Sequence, residues 1–158
     1  MVRLVGGIPV IVDTKQENGW KLTPEEFEDA MSPLTKMIIL NSPGNPTGSV
    51  YTKEEMEKIA DIAIGEGIVI LSDEIYEKLV YADNKHISIA SLSKEVYDHT
   101  ITINGFSKAY AMTGWRLGYT AAPKRIAEAI DTLQSHTTSN ATTFAQFGAI
   151  AALSLIHI

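Results

Sequence analysis

Three short apolar runs constrain this chain more than any other feature: Met37-Ile38-Ile39-Leu40, Ile68-Val69-Ile70-Leu71 and Thr100-Ile101-Thr102-Ile103-Asn104. The first two are unbroken, the pattern of strands buried on both faces. Stretches of helical periodicity separate such runs. Thr23-Pro24-Glu25-Glu26 opens a helix, with Thr23 as cap, Pro24 at the first helical position and Glu26 completing a capping box. Phe27, Ala30 and Met31 give it one apolar face. Thr52-Lys53-Glu54-Glu55 opens a second by the same logic; Met56, Ile59, Ala60, Ala63 and Ile64 fall at helical spacing, and Gly65 and Gly67 end it. Leu117-Gly118-Tyr119-Thr120-Ala121 gives a fourth strand. Pro123 then starts a helix with Ile126, Ala129, Ile130 and Leu133 on one stripe, and a last helical segment begins near Thr142. Ile8-Pro9-Val10-Ile11-Val12-Asp13 reads as a further short strand, and residues 80–98 as irregular structure with a short helical turn.

Strands alternating with helices imply right-handed crossovers, hence an α/β fold with a mainly parallel sheet flanked by helices on both faces. The chain's 158 residues, 45% hydrophobic and 20% charged, suffice for one domain with a real core. The absence of cysteine excludes disulfides, thiolate metal sites and a cysteine nucleophile. A net charge of −6 argues against non-specific nucleic-acid binding. Apolar runs reach about five residues, far short of the ~20 that span a membrane. The N-terminus lacks a signal-peptide pattern, so a cytoplasmic protein is expected.

In sheets of this type, ligands bind beyond the carboxyl ends of the strands. Three polar clusters fall there: Asn45 after the first run, Asp73 and Tyr76 after the second, Ser107 and Lys108 after the third. A lysine amine forms an imine only if burial or a neighbouring cation lowers its pKa, and Arg116 is available as that cation or as a phosphate ligand. Ser107 adds a donor for the same anion. Asp73, costly to bury alone, would be offset by a cationic ring nitrogen, and the Tyr76 phenol can reach the same ligand. Each residue also has a plainer reading: Asp73 as a helix cap, Tyr76 as a core aromatic, Asn45 as a turn residue, Arg116 as a surface ion pair. The four histidines are scattered without ligand spacing and read as ordinary surface or loop residues. Zinc, nucleophile-elbow, P-loop and dinucleotide patterns are missing from the sequence.

Asn45-Pro46-Thr47-Gly48, Ser72-Asp73-Glu74-Ile75-Tyr76, Ser107-Lys108 and Thr113-Gly114-Trp115-Arg116-Leu117-Gly118 together resemble the class I aminotransferases, pyridoxal-phosphate enzymes of the aspartate aminotransferase fold. The order matches, as does the spacing of 28 residues from Asn45 to Asp73 and 35 from Asp73 to Lys108. The resemblance implies a transaminase acting between an amino acid, aspartate or a related one, and a 2-oxo acid. It assigns Lys108 as the residue holding pyridoxal phosphate and shuttling the substrate proton, and Asp73 as the partner of the pyridinium nitrogen. Tyr76 and Asn45 would bind the ring's phenolic oxygen, Asn45 also the substrate carboxylate, and Ser107 and Arg116 the phosphate. No metal is implied. The Asn45–Pro46 bond would be cis. Gly105 departs from members that carry a phosphate-binding serine there, and with Tyr110-Ala111-Met112 points to the bacterial aspartate/prephenate-type subgroup.

By the same resemblance residues 1–153 are part of a large domain, and Met1 is an internal methionine. The glycine-containing phosphate loop and ring-stacking aromatic would precede residue 1, the substrate-binding arginine would follow residue 158, and a homodimer partner would complete the site. The final residues, Leu153-Ser154-Leu155-Ile156-His157-Ile158, read back as CTG TCT CTT ATA CAC ATC, a common sequencing-library adapter, so residues 154–158 are expected to be a non-native tail. Two alternatives keep the same cofactor residues: a carbon–sulfur β-lyase, and the aminotransferase-like domain of a transcriptional regulator.

Overall fold

A computed structural model describes residues 1–154; most of the expected non-native tail lies outside the described residues. Helix α1 (Pro24–Ala30) leads to strand β1 (Met37–Asn41), helix α2 (Lys53–Gly65) and strand β2 (Val69–Asp73). Helix α3 (Lys94–His99), strand β3 (Thr100–Gly105), strand β4 (Gly118–Ala121) and helices α4 (Lys124–Thr137) and α5 (Thr143–Ser154) follow. Both capping boxes form as the sequence implies. Thr23 Oγ1 accepts from Glu26 N while Glu26 returns to Thr23 N, and Thr52 and Glu55 repeat the exchange. Such caps satisfy backbone donors that a helix start otherwise leaves open.

The strands lie in the order β1-β2-β3-β4, with β1, β2 and β3 parallel and β4 antiparallel to β3. The α/β class and the mainly parallel sheet are therefore as expected. The register aligns the carboxyl ends: Asn41 pairs with Asp73, and Asp73 with Ile103. One row of residues thus carries three adjacent strand ends, and the loops beyond it share one edge.

Below that edge, one face of the sheet packs on α1, α2 and α3 around Phe27, Leu40, Met56, Ile59, Ile70 and Val96. Ile59 and Ile70 are completely buried, each such side chain contributing about 1.5–3 kcal/mol. Two-faced burial of β1 is not realised among the described residues. Ile38 and Leu40 are buried, but Met37 and Ile39 point to the opposite face and are 42% and 55% exposed. An unbroken apolar run cannot distinguish one covered face from two, because side-chain alternation is set by the backbone alone.

The short strand expected over Ile8–Asp13 is absent: the segment takes no regular structure and pairs with none of the described strands. Ile8, Val10 and Ile11 are largely exposed, so β-branched composition has nothing to pack against. Residues 80–98 are more ordered than expected. A 3-10 turn at Ile89–Ser91 precedes α3, whose cap Ser93 accepts from Val96 N.

Candidate functional site

The loop after β1 folds back on itself. Gly44 N donates to Ser49 O at 2.8 Å, Gly48 N to Gly44 O at 2.8 Å, and Gly48 takes a φ of 71° that only glycine adopts freely. A Cβ on Gly44 would come within 2.8 Å of Ser49 Oγ, so a side chain there would require that hydroxyl to move. Asn45–Pro46 is cis, as the resemblance implies, and so is Ser42–Pro43. Asn41 Oδ1 accepts from Asn45 N at 2.9 Å, while its amide donates to Asp73 O at 3.1 Å, tying this loop to the end of β2. Asn45 Nδ2 then donates to Tyr76 Oη at 3.1 Å.

Asp73 closes β2. Its Oδ1 accepts from Ile75 N at 3.2 Å within a turn, so the plainer reading as a helix cap is not met, and the other carboxylate oxygen is left for a further partner. Tyr76 sits in a hydrogen-bonded turn rather than a helix, with Glu77 N donating to Glu74 O and Leu79 N to Tyr76 O. From the third strand end, Lys108 Nζ lies 5.6 Å from the centroid of the Tyr76 ring, within cation–π reach. Asn45 and Lys108 therefore both meet Tyr76, and Asp73 closes the strand from which the Tyr76 turn departs.

Ser107 and Arg116 belong to the excursion between β3 and β4. Thr113 Oγ1 donates to Ser107 O at 2.9 Å, and Arg116 Nη1 donates to Thr113 O at 3.0 Å, so one short chain of bonds links the two residues. Arg116 is left-handed, with φ 53°. It is exposed and forms no ion pair among the described residues, unlike the surface pair the plainer reading allowed. The excursion is seated by Phe106 and Met112, which pack with Ala149 of α5. Trp115 lies against α5 at Gly148, where a Cβ would come within 2.5 Å of its ring. That glycine's contribution was unreadable from sequence, since it depends on which ring the tertiary fold brings to it. Gly105 has a similar reason: a Cβ there would sit 3.1 Å from Leu117 O and 3.2 Å from Gly118 Cα, in the β3–β4 pairing.

A second polar cluster escaped sequence reasoning. Glu74, next to Asp73, is 2% exposed, and its carboxylate meets Ser72, His86 and Ser88. His86 is thus no surface residue: its side chain is only 10% exposed, and Nε2 lies 3.1 Å from Glu74 Oε2. The strand's alternation pointed inward at Glu74, but the partner 12 residues on lies in an aperiodic segment. Tyr119, beside Phe106, is partly exposed, and its phenol is pushed up by partial desolvation and then by the nearby Glu77, Tyr110 and Glu74.

Residues 1–157 match the family model described as "Aminotransferase class I and II". The chain is 52% identical to an aspartate aminotransferase of Geobacillus stearothermophilus over 97% of its length, and 51% identical to a probable aspartate/prephenate aminotransferase of Aquifex aeolicus over 96%. It spans 39% of each of those relatives. Among solved structures, it resembles the Thermus thermophilus aspartate aminotransferase with maleate, at TM-score 0.91 and 42% identity over 96% of this chain and 39% of that one. An aromatic aminotransferase from Pyrococcus horikoshii OT3 gives TM-score 0.92 and 44% identity over 98% and 41%. Strand order, strand-end chemistry and these likenesses agree: the chain belongs to the class I and II aminotransferase family.

Proposed function

We propose that residues 1–153 form part of the large domain of a pyridoxal-phosphate-dependent aminotransferase that moves an amino group between an amino acid, aspartate or a relative of it, and a 2-oxo acid. The observation that carries this reading is the grouping of Asn45, Tyr76 and Lys108 around the aligned strand ends that bear Asp73. The donor set fits the cofactor: a lysine amine, a phenol paired with an amide and, among the described residues, a carboxylate with one oxygen still available and an arginine with most of its donor fork unused.

Pyridoxal phosphate supplies an electron sink for the substrate's Cα. In this assignment Lys108 Nζ is the covalent anchor and later moves the proton at Cα. Asp73 holds the proton on the ring nitrogen. Tyr76 Oη and Asn45 Nδ2 bind the ring's phenolic oxygen, with Asn45 also meeting the substrate carboxylate. Ser107 and Arg116 balance the phosphate charge, Arg116 through the bidentate geometry that guanidinium offers. The relatives' names, aspartate and aspartate/prephenate aminotransferase, favour transamination over the β-lyase and regulator readings. A homodimer in the cytoplasm completes the reading; among the described residues no helix is long and apolar enough to cross a membrane.

The test is covalent. In the full-length protein containing this segment, Lys108→Ala should abolish cofactor fixed to the polypeptide by borohydride, read by mass spectrometry. Fixation elsewhere at wild-type yield in that variant would remove Lys108 from its role.

A further inference from the structure

We propose that Glu74 is a positioning residue, whose buried carboxylate locks the turn carrying Asp73 and Tyr76 by clamping it to the segment His86–Ser88; the inference rests on the cofactor reading of those two residues. Glu74 continues the alternation of β2, so it faces the core with Ile70 and Ser72 while Asp73 faces the other way. A carboxylate is an expensive choice for a position 2% exposed, and packing alone would be served by an apolar side chain. Both of its oxygens are engaged instead. Oε1 accepts from Ser72 Oγ and Ser88 Oγ, each at 2.9 Å, and Oε2 meets His86 Nε2 at 3.1 Å.

The backbone of the same residue joins both sides of the turn. Glu74 N donates to Ile103 O at 2.9 Å, extending the β2–β3 pairing, and Glu74 O accepts from Glu77 N at 2.9 Å, closing the turn around Tyr76. Fixing the Glu74 side chain therefore fixes the residues before and after it. Ser88 is itself held, because it precedes the 3-10 turn whose Ile89 is completely buried. His86 makes the priority visible. Among the described residues its Nδ1 is buried without a hydrogen-bond partner, so the ring is placed by its bond to Glu74 and not by its other nitrogen.

The experiment compares Glu74→Ala and Glu74→Gln in the full-length protein. One measurement is pyridoxal-phosphate affinity; the other is amide hydrogen exchange of the Asp73–Leu79 segment in the cofactor-free protein. Glu74→Ala should weaken affinity about tenfold and speed that exchange, the scale of losing hydrogen bonds to a charged group. Glu74→Gln can still accept from the serines and, with the imidazole proton moved to Nδ1, donate to Nε2, and should restore both within about twofold. A Glu74→Ala variant that melts earlier yet keeps wild-type affinity and local exchange would reduce Glu74 to bulk stability and overturn the proposal. A Gln variant as defective as Ala would overturn it too. Should Glu74→Ala fail to fold, Ser88→Ala carries the test, with affinity two- to threefold weaker expected and unchanged affinity and exchange refuting the clamp. If the wild type binds no cofactor, the cofactor reading fails on its own, and the exchange measurement still decides whether Glu74 locks the turn.

Discussion

Strands β1 to β3 and the segment from β4 to α5 meet at the β3–β4 pairing, yet they bury their residues in opposite measure. The first region encloses a core in which Met56, Ile59, Ala63 and Ile70 are almost or wholly inaccessible. In the second, every residue of β4 is exposed and α4 buries none of its side chains, although Ile126, Ile130 and Leu133 form a clear apolar stripe. The candidate site straddles this boundary. Asn45, Asp73 and Tyr76 stand on the well-packed side, tied together by backbone and side-chain bonds. Lys108 and Arg116 come from the excursion that leads into the exposed side, and Arg116 leans on α5 through Trp115. The residues proposed for the ring nitrogen and phenolic oxygen thus stand on the well-packed side, while those proposed for the anchor and the phosphate come from an excursion that packs on α5.

Three substitutions break or sharpen that contrast, measured as urea stability of the chain. Ile59→Ala should be the most damaging, costing about 2–5 kcal/mol through lost burial and an unfilled cavity. A loss near zero would show the first core to be looser than its burial implies.

An intermediate effect is expected from Glu55. Burial raises its pKa, but the Lys21 ammonium at 2.5 and 2.7 Å and the Thr52 N–H outweigh it, leaving the carboxyl below its ordinary 4.5. A lowered folded-state value stabilises at pH above the unfolded value, and the contribution is lost as pH falls through the folded one. Glu55→Gln keeps a capping-box residue but removes this linkage, so acidification from about pH 6 to pH 3 should destabilise the variant less than the parent, by about 0.5 kcal/mol after solvent screening. Equal acid sensitivity in both proteins would contradict the assignment.

Leu133→Ala should have the smallest effect, within about 0.5 kcal/mol, because the side chain is 68% exposed. A cost comparable to that of Ile59→Ala would mean that the α4 stripe is covered in solution, and the contrast between the regions would disappear.

Much of the architecture is legible in the sequence. Capping boxes are local, so Thr23–Glu26 and Thr52–Glu55 announced their helices from four consecutive residues. The strand runs and their order supplied the parallel sheet, and the strand-end rule brought Asn45, Asp73, Tyr76 and Lys108 to one edge. Ile8–Asp13 misled for the converse reason: strand composition is necessary for pairing but cannot provide a partner.

What the sequence by itself determined is whatever depends on neighbours along the chain: helix starts, strand alternation, turn glycines, and the residue types available to chemistry. Tertiary structure alone decided which face of β1 is covered, that β4 runs antiparallel, and that Gly148 makes room for Trp115. It also decided that His86, one of four apparently unremarkable histidines, would be buried against the carboxylate beside Asp73. The physical reason is common to all of these. Each depends on contacts between residues distant in the chain, whose distances and desolvation are set only when the whole sheet and its crossovers close.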